Sequence, residues 1–370
     1  MERIPDTMTA VVFDGPHNIS VQQRPTPKIQ DDGDIIVKVQ AAGLCGSDLH
    51  LLRGLEKTKT TGFIMGHEFS GTVVAAGSGV KTVSVGDKIV SPFTVSCGAC
   101  FYCKNGFSSR CVHCLVFGTE GLAGAQAQFV RVPRADGTVM KAPPEISDDA
   151  LVLMADVFPT GFFGAKNAFA GLPRTQRPSD AVAVVIGCGP VGLSAIVSAL
   201  EYKPRHLFAI DAVESRLRVA KYLGAEPLNV ADGQENIVKR IGELTEGRGA
   251  DVVVEAVGLS PALRTAYDIV RPFGSISSIG VHNSSMPFTA TEGYDKNVKI
   301  QMGRCPVRSI FPEALPVLAK AQHRFGFMFE KLVPLSEAVE SYALFSEMQV
   351  QKVIFKPWQR FERENRNTRL

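Results

Sequence analysis

Four cysteines crowd into a short stretch as Cys97-x2-Cys100-x2-Cys103-x7-Cys111. Thiolates are soft donors, and Zn2+ takes four of them at tetrahedral corners about 2.3 Å away. Two-residue gaps let tight turns aim successive sulfurs at one point, and Gly98 and Gly106 ease such turns. Four protein ligands leave no position for water. The spacing therefore predicts a structural site whose metal holds a lobe that lacks its own hydrophobic core. Disulfides between cysteines so close in sequence would be strained. Eight cysteines used this way in a chain of 370 residues fit metal ligation in a reducing compartment, not an extracellular disulfide framework. Cys114 breaks the spacing and reads as a bystander.

A second pattern, Gly187-Cys188-Gly189-Pro190-Val191-Gly192, is a G-x-G-x-x-G that follows an apolar run and opens a helical one. In that context the first glycine makes the turn, the second lets backbone approach a pyrophosphate, and the third lets helix and strand pack closely. The diphosphate would meet the helix N-terminus at Pro190 and Val191. Asp211 lies near the distance of about 20 residues at which a carboxylate accepts the ribose diol and repels a 2′-phosphate. NAD is therefore expected over NADP, with Arg216 and Arg218 as the nearby groups that could draw in a phosphate.

Cys45, in Gly43-Leu44-Cys45-Gly46-Ser47-Asp48-Leu49-His50, and His67, in Gly66-His67-Glu68, stand apart from the cysteine cluster. A catalytic zinc takes three protein ligands and keeps one position open. These two residues would supply two of them. Local sequence does not name the third, and either residue alone reads equally well as a packed core side chain.

The elements that must position these residues fall into two textures. The first ~155 residues are mostly β: Thr9–Phe13, Ile35–Val39 and Gly71–Ala76 are short apolar or alternating runs, punctuated by turns such as Ser84-Val85-Gly86-Asp87-Lys88. Such a series suggests a barrel or sandwich-like unit. From Ala181 onward apolar strands alternate with helices: Ala181–Ile186, a helix over about Pro190–Leu200, His206–Asp211, a helix near Arg216–Leu223, Asp251–Val257 and Ser275–Val281. That alternation predicts an α/β unit with a doubly wound parallel sheet.

Bulk properties exclude several classes. The chain is 45% hydrophobic and 21% charged, ordinary for a globular protein, and its formal charge of +3 is too small to argue for nucleic acid. Arg360, Arg363, Arg366 and Arg369 gather at the C-terminus, but Glu362 and Glu364 dilute them, so the segment reads as a solvated tail. Thr368-Arg369-Leu370 is only distantly like a peroxisomal address. The segment from Met1 to Asp6 lacks the apolar core of a secretory signal, and no window approaches ~18 uninterrupted apolar residues. A cytoplasmic protein with no membrane partner is expected.

Together, Gly43–His50, Gly66-His67-Glu68 with the glycine-rich stretch after it, the four-cysteine lobe and the dinucleotide fingerprint resemble the zinc-containing medium-chain alcohol dehydrogenases. The likeness runs from the first β segment to Lys352-Val353-Ile354-Phe355-Lys356-Pro357. It implies a GroES-like, mostly β catalytic domain over residues 1–157 and 304–370, and a Rossmann NAD-binding domain over 158–303. It implies two zinc ions per chain. The catalytic one would sit on Cys45, His67 and a third residue just before the cofactor domain, where this chain has Asp156 and the best-known members have cysteine. Aspartate there resembles the formaldehyde-dehydrogenase-like branch and some bacterial secondary alcohol enzymes.

By the same likeness Glu68 approaches the metal from behind its ligands, Ser47 accepts the alcohol proton and His50 passes it to solvent. Thr160 would pack on the nicotinamide ring and Lys356 would lie close to the pyrophosphate. Phe93 and Leu115-Val116-Phe117 would line an apolar substrate cleft. The implied activity is reversible hydride transfer between a small alcohol, or its aldehyde or ketone, and NAD, in a homodimer or homotetramer. A polyol or sugar dehydrogenase and a formaldehyde-type enzyme are the alternatives within that class. A non-catalytic zinc- and nucleotide-binding relative, or a zinc-free reductase, would not be expected to keep Cys45, Ser47, His50, His67 and Asp156 together.

Overall fold

The computed structural model describes residues 3–359, so the arginine-bearing tail and its final tripeptide lie outside the described residues. The chain forms two compact units. Among the described residues, one comprises those up to Cys97, Leu115–Ala142 and those from Met328 onward; the other comprises Gly98–Cys114 and Pro143–Phe327.

The first unit is built on the strand Ile35–Leu44. Its run Ile35-Ile36-Val37, followed by Val39, is β-branched and almost fully buried, which suits a strand covered on both faces. It pairs antiparallel with Glu68–Ala76 on one side, and with Phe129–Val132 and Val353–Phe355 on the other. Two register shifts, at Ile36/Val37 and Val39/Ala41, bend the Ile35–Leu44/Glu68–Ala76 pair. Val37, Val39, Phe69, Val73, Ile89, Phe117, Tyr342 and Phe355 share the core beneath. A smaller sheet pairs Thr7–Gly15 with Asn18–Pro25 and Phe63–Ile64.

The second unit contains six parallel strands in the order Glu226–Asn229, His206–Asp211, Val182–Ile186, Ala250–Glu255, Val270–Ser278, Lys299–Met302. This is the doubly wound order, with the winding reversing between Val182–Ile186 and Ala250–Glu255. The helix Pro190–Leu200 and the strand His206–Asp211 have the bounds read from sequence, and the helix expected at Arg216 starts earlier, at Glu214. Two strands end sooner than their apolar runs suggest. The run Asp251–Val257 stops as a strand at Glu255, whose own carboxylate takes the backbone N–H groups of Val257 and Gly258 out of the ladder. The run Ser275–Val281 is the end of a longer strand, Val270–Ser278. No helix among the described residues is long and apolar enough to cross a membrane.

Candidate active site and metal centres

Cys45 leaves the end of Ile35–Leu44 and caps the short helix Gly46–Leu52. The cap is reciprocal: Asp48 Oδ2 accepts a hydrogen bond from the Cys45 N–H at 3.0 Å. Gly43 pairs with Glu68 across the ladder, which carries His67 and Glu68 beside Cys45. A Cβ on residue 43 would fall 2.0 Å from Glu68 Oε2, so the carboxylate can lie there only against glycine. One donor atom from each of Cys45, His67 and Glu68 lies within 4.8 Å of the others, and all three side chains are buried.

The His67 ring is held from behind. Its Nδ1 is 3.0 Å from Asp48 Oδ1, and both residues are buried. With that N–H donated to the carboxylate, the ring presents Nε2 as its lone pair, the arrangement that orients and strengthens a metal-ligating histidine. Ser47 Oγ stands 3.3 Å from the same Nε2. Asp48 is steadied in turn by Gln126, whose Nε2 also donates to Gly43 O, while Gln126 Oε1 accepts from the hydroxyl of buried Tyr342 at 2.7 Å. Asp48 was not singled out from sequence. The Cys-x-x-Asp spacing of the cap was its signal, masked because cysteine is not a usual N-cap.

His50 projects from the same helix, partly buried. Burial lowers its pKa below the ordinary histidine value; Glu56, with Oε1 3.9 Å from Nδ1, opposes that and Arg53 adds to it. Phe93 lies edge-on to His67, ring centroids 6.1 Å apart. Phe117, expected in the cleft wall, is instead a core residue, packed edge-on against Phe69 at 5.1 Å. Lys356 follows Val353–Phe355, and its N–H donates to Val333 O. Lys352, which sequence reading passed over, is fully buried against Glu68.

In the second unit, Asp156 ends the 3-10 turn Val152–Ala155 and precedes the helix Val157–Ala170 with φ −153° and ψ −69°. Thr160, one turn on, donates from Oγ1 to Asp156 Oδ1 at 2.6 Å and from its N–H to Asp156 O at 2.9 Å. Thr160 thus fixes the carboxylate. Buried Cys305, whose thiol donates to Pro159 O, has its pKa pushed well up by burial and by the charge of Asp156.

The glycine loop has the geometry its pattern demands. Gly187 is left-handed at φ +91°, Gly189 has no atom within 4 Å of a would-be Cβ, and at Gly192 a Cβ would lie 1.7 Å from Gly187 O. Backbone access is open where a pyrophosphate needs it and closed where helix meets strand. Asp211 ends its strand with Oδ2 accepting from Cys188 N at 2.6 Å and Oδ1 from Val213 N at 2.8 Å. Arg216 lies in the first turn of the helix Glu214–Leu223 that follows.

The sulfurs of Cys97, Cys100, Cys103 and Cys111 lie within 4.8 Å of one another, and no cysteine among the described residues is in a disulfide. Cys100 and Cys111 are 3.9 Å apart, close to the edge of about 3.8 Å expected for a Zn–S4 tetrahedron. Gly98 and Gly106 have positive φ, as the turns require. Phe101, Tyr102, Phe107 and Val112 point outward, so this segment has no apolar core of its own. The residues fit a closed, structural zinc.

Comparison with known proteins settles the family. Residues 31–144 match the model of the alcohol dehydrogenase GroES-like domain, and 190–320 match that of zinc-binding dehydrogenases. The zinc-type alcohol dehydrogenase B of Aspergillus flavus is 60% identical over 94% of this chain and 81% of its own length. The chain belongs to the zinc-type alcohol dehydrogenases.

Among solved alcohol dehydrogenases, TADH from Thermus sp. ATN1 superposes with a TM-score of 0.86 at 35% identity, covering 94% of this chain and 99% of that one. The expected likeness to a formaldehyde-converting branch is distant: formaldehyde dismutase of Pseudomonas putida is 29% identical over 94% of this chain and 97% of its own length. As an alcohol dehydrogenase of the zinc type, the chain is an oxidoreductase with a GroES-like domain and a Rossmann-like parallel sheet.

Proposed function

We propose that this alcohol dehydrogenase oxidises a small alcohol to its aldehyde or ketone, reversibly and with NAD, at a zinc held by Cys45, His67 and Asp156. The observation that carries the reading is the donor set of the first unit: Cys45, His67 and Glu68 offer buried ligand atoms within 4.8 Å of one another, and buried Asp156 is the carboxylate the reading adds to them. Zinc there supplies Lewis acidity, which makes an alcohol proton labile near neutral pH and polarises a carbonyl in reverse. Three of the donors have a partner that aims them: Asp48 behind His67, Thr160 behind Asp156, and Lys352 behind Glu68. In this reading Ser47 takes the alcohol proton, and His50, one turn along the same helix, carries it outward. The lowered pKa of His50 keeps it neutral, and so able to accept a proton, at pH 7.

Gly187, Gly189, Pro190, Val191 and Gly192 take the pyrophosphate in this reading, Asp211 the adenosine ribose, and Thr160, Arg216 and Lys356 further parts of the cofactor. The anion at Asp211 supports NAD over NADP. Functionally, residues 1–157 and 304–370 serve the zinc chemistry and 158–303 the cofactor, although the compact units divide the chain at other points. A cytoplasmic homodimer or homotetramer completes the proposal.

Two measurements test it. Metal analysis of freshly purified protein should give two zinc ions per chain; one or none sinks the two-site reading. Asp156→Ala should abolish NADH formation across a panel of alcohols while the fold and NAD binding persist. Unchanged turnover removes Asp156 from the ligand set.

A further inference from the structure

Glu255, Ser278 and His282 form a cluster that the proposed chemistry does not use. Glu255 ends its strand fully buried. Its Oε1 accepts the N–H groups of Val257 at 2.8 Å and Gly258 at 2.7 Å. Its Oε2 accepts from Ser278 Oγ at 2.7 Å and lies 3.0 Å from His282 Nε2. Burial alone would raise the carboxyl's pKa, but the bonds from His282, Ser278 and the two N–H groups hold it below the ordinary range. The anion therefore ties the turn after Ala250–Glu255 to the turn after Val270–Ser278.

Those turns are stacked backbone against backbone. A Cβ on Gly258 would lie 2.5 Å from Val281 O, one on Gly280 would lie 2.1 Å from Gly258 N, and one on Gly187 would lie 2.6 Å from Val257 Cγ2. The ends of three adjacent strands thus pack closely: backbone meets backbone at Gly258 and Gly280, and the Val257 side chain meets the glycine loop at Gly187. They lie at the carboxyl ends of parallel strands, on both sides of the point where the winding reverses. A dinucleotide occupies that crevice, one mononucleotide on each half of the sheet. The glycine loop and Asp211 belong to the first half, so the turns tied by Glu255 receive the second.

We propose that Glu255, with Ser278 and His282 as its donors, is a positioning residue for the nicotinamide mononucleotide half of the cofactor. The proposal rests on the NAD reading above. Glu255 acts by holding the 256–258 and 279–282 turns in their binding shape before the cofactor arrives, so less ordering is lost on binding.

Binding of NADH, followed by its fluorescence, and of ADP, followed by calorimetry, separates this role from general support of the fold. ADP engages only the adenosine half. In zinc-loaded full-length protein, Glu255→Gln, Ser278→Ala and His282→Ala should each weaken NADH by about tenfold, the cost of one lost buried hydrogen bond, while ADP stays unchanged. The KM for NAD should rise with little change in kcat. Should Glu255→Gln not fold, His282→Ala still decides, because that side chain is partly exposed. Parallel loss of NADH and ADP, or loss of neither, overturns the proposal. Failure of the unsubstituted protein to bind NADH overturns the cofactor reading and this proposal with it, and is seen before any variant is made.

Discussion

Lys352 Nζ lies 2.5 Å from Glu68 Oε2, and neither side chain has any solvent exposure. Glu68 opens one neighbour of the strand Ile35–Leu44, and Lys352 immediately precedes another, Val353–Phe355. Both neighbours pair with Gly43, so the ion pair spans the ladder at a residue with no side chain. The carboxylate beside Cys45 and His67 is thus anchored through one oxygen to a buried cation.

Removing that cation should be costly. Lys352→Met leaves a buried carboxylate without its counter-ion, which destabilises a fold by about 3–5 kcal/mol. Urea unfolding should show the loss, and adding Glu68→Gln to the same chain should recover much of it. A midpoint for Lys352→Met equal to that of the unsubstituted protein would show that the pair carries no such cost.

Asp48 should govern metal affinity without being a ligand. It accepts from Cys45 N and orients His67 Nδ1, so Asp48→Asn disturbs two proposed ligands at once. Removing such an outer partner weakens a metal by about 10–100-fold. Chelator competition should show one zinc lost early and the cysteine-lobe zinc held as before. Equal retention of both ions would rule out the role.

These residues mark where sequence reading stopped. The four-cysteine spacing, the glycine fingerprint and Asp211 were legible because each is local: one turn or one strand-to-helix junction carries the whole pattern. The parallel sheet was legible from its uninterrupted apolar strands. Asp48, Gln126, Tyr342 and Lys352 were not legible, because what makes them matter is register between segments as far apart as residues 68 and 352. Phe117 was misplaced for a related reason. An apolar residue next to a cleft and one beneath it read alike until its neighbour, Phe69, is known.

His50 sets the expected pH dependence. Its folded pKa lies below the ordinary value of 6.5, burial being the main cause. The neutral ring is the proton acceptor, so kcat/KM should hold level above about pH 6.5 and fall in acid as the ring protonates. His50→Gln should remove that acid limb and lower the plateau by about 100-fold, the low end for a proton-transfer group. The stability contribution has the same sign. Below pH 6.5 the unfolded chain binds the proton more readily than the folded one, so this contribution is complete above that pH and lost as pH falls. An acid limb that persists unchanged in His50→Gln would assign it to another group.

The cysteine lobe should take up its metal with strong pH dependence and no direct effect on the chemical step. Burial and the neighbouring thiols push Cys103 up to about 12, so without metal this thiol stays protonated at neutral pH. Zinc binds thiolates, and each ion taken up must displace up to about four protons. Proton release, measured with an indicator dye during zinc addition to chelated protein, should approach that number, and affinity should rise steeply from pH 6 to pH 8. Cys103→Ser should lose one zinc and lower the unfolding temperature, because outward-facing Phe101, Tyr102 and Phe107 give the lobe no core to fall back on. The molecules that stay folded should keep their kcat, since a closed four-thiolate shell offers no position to substrate. A fall in kcat with both zinc ions still bound would show that the lobe does more than hold its own shape.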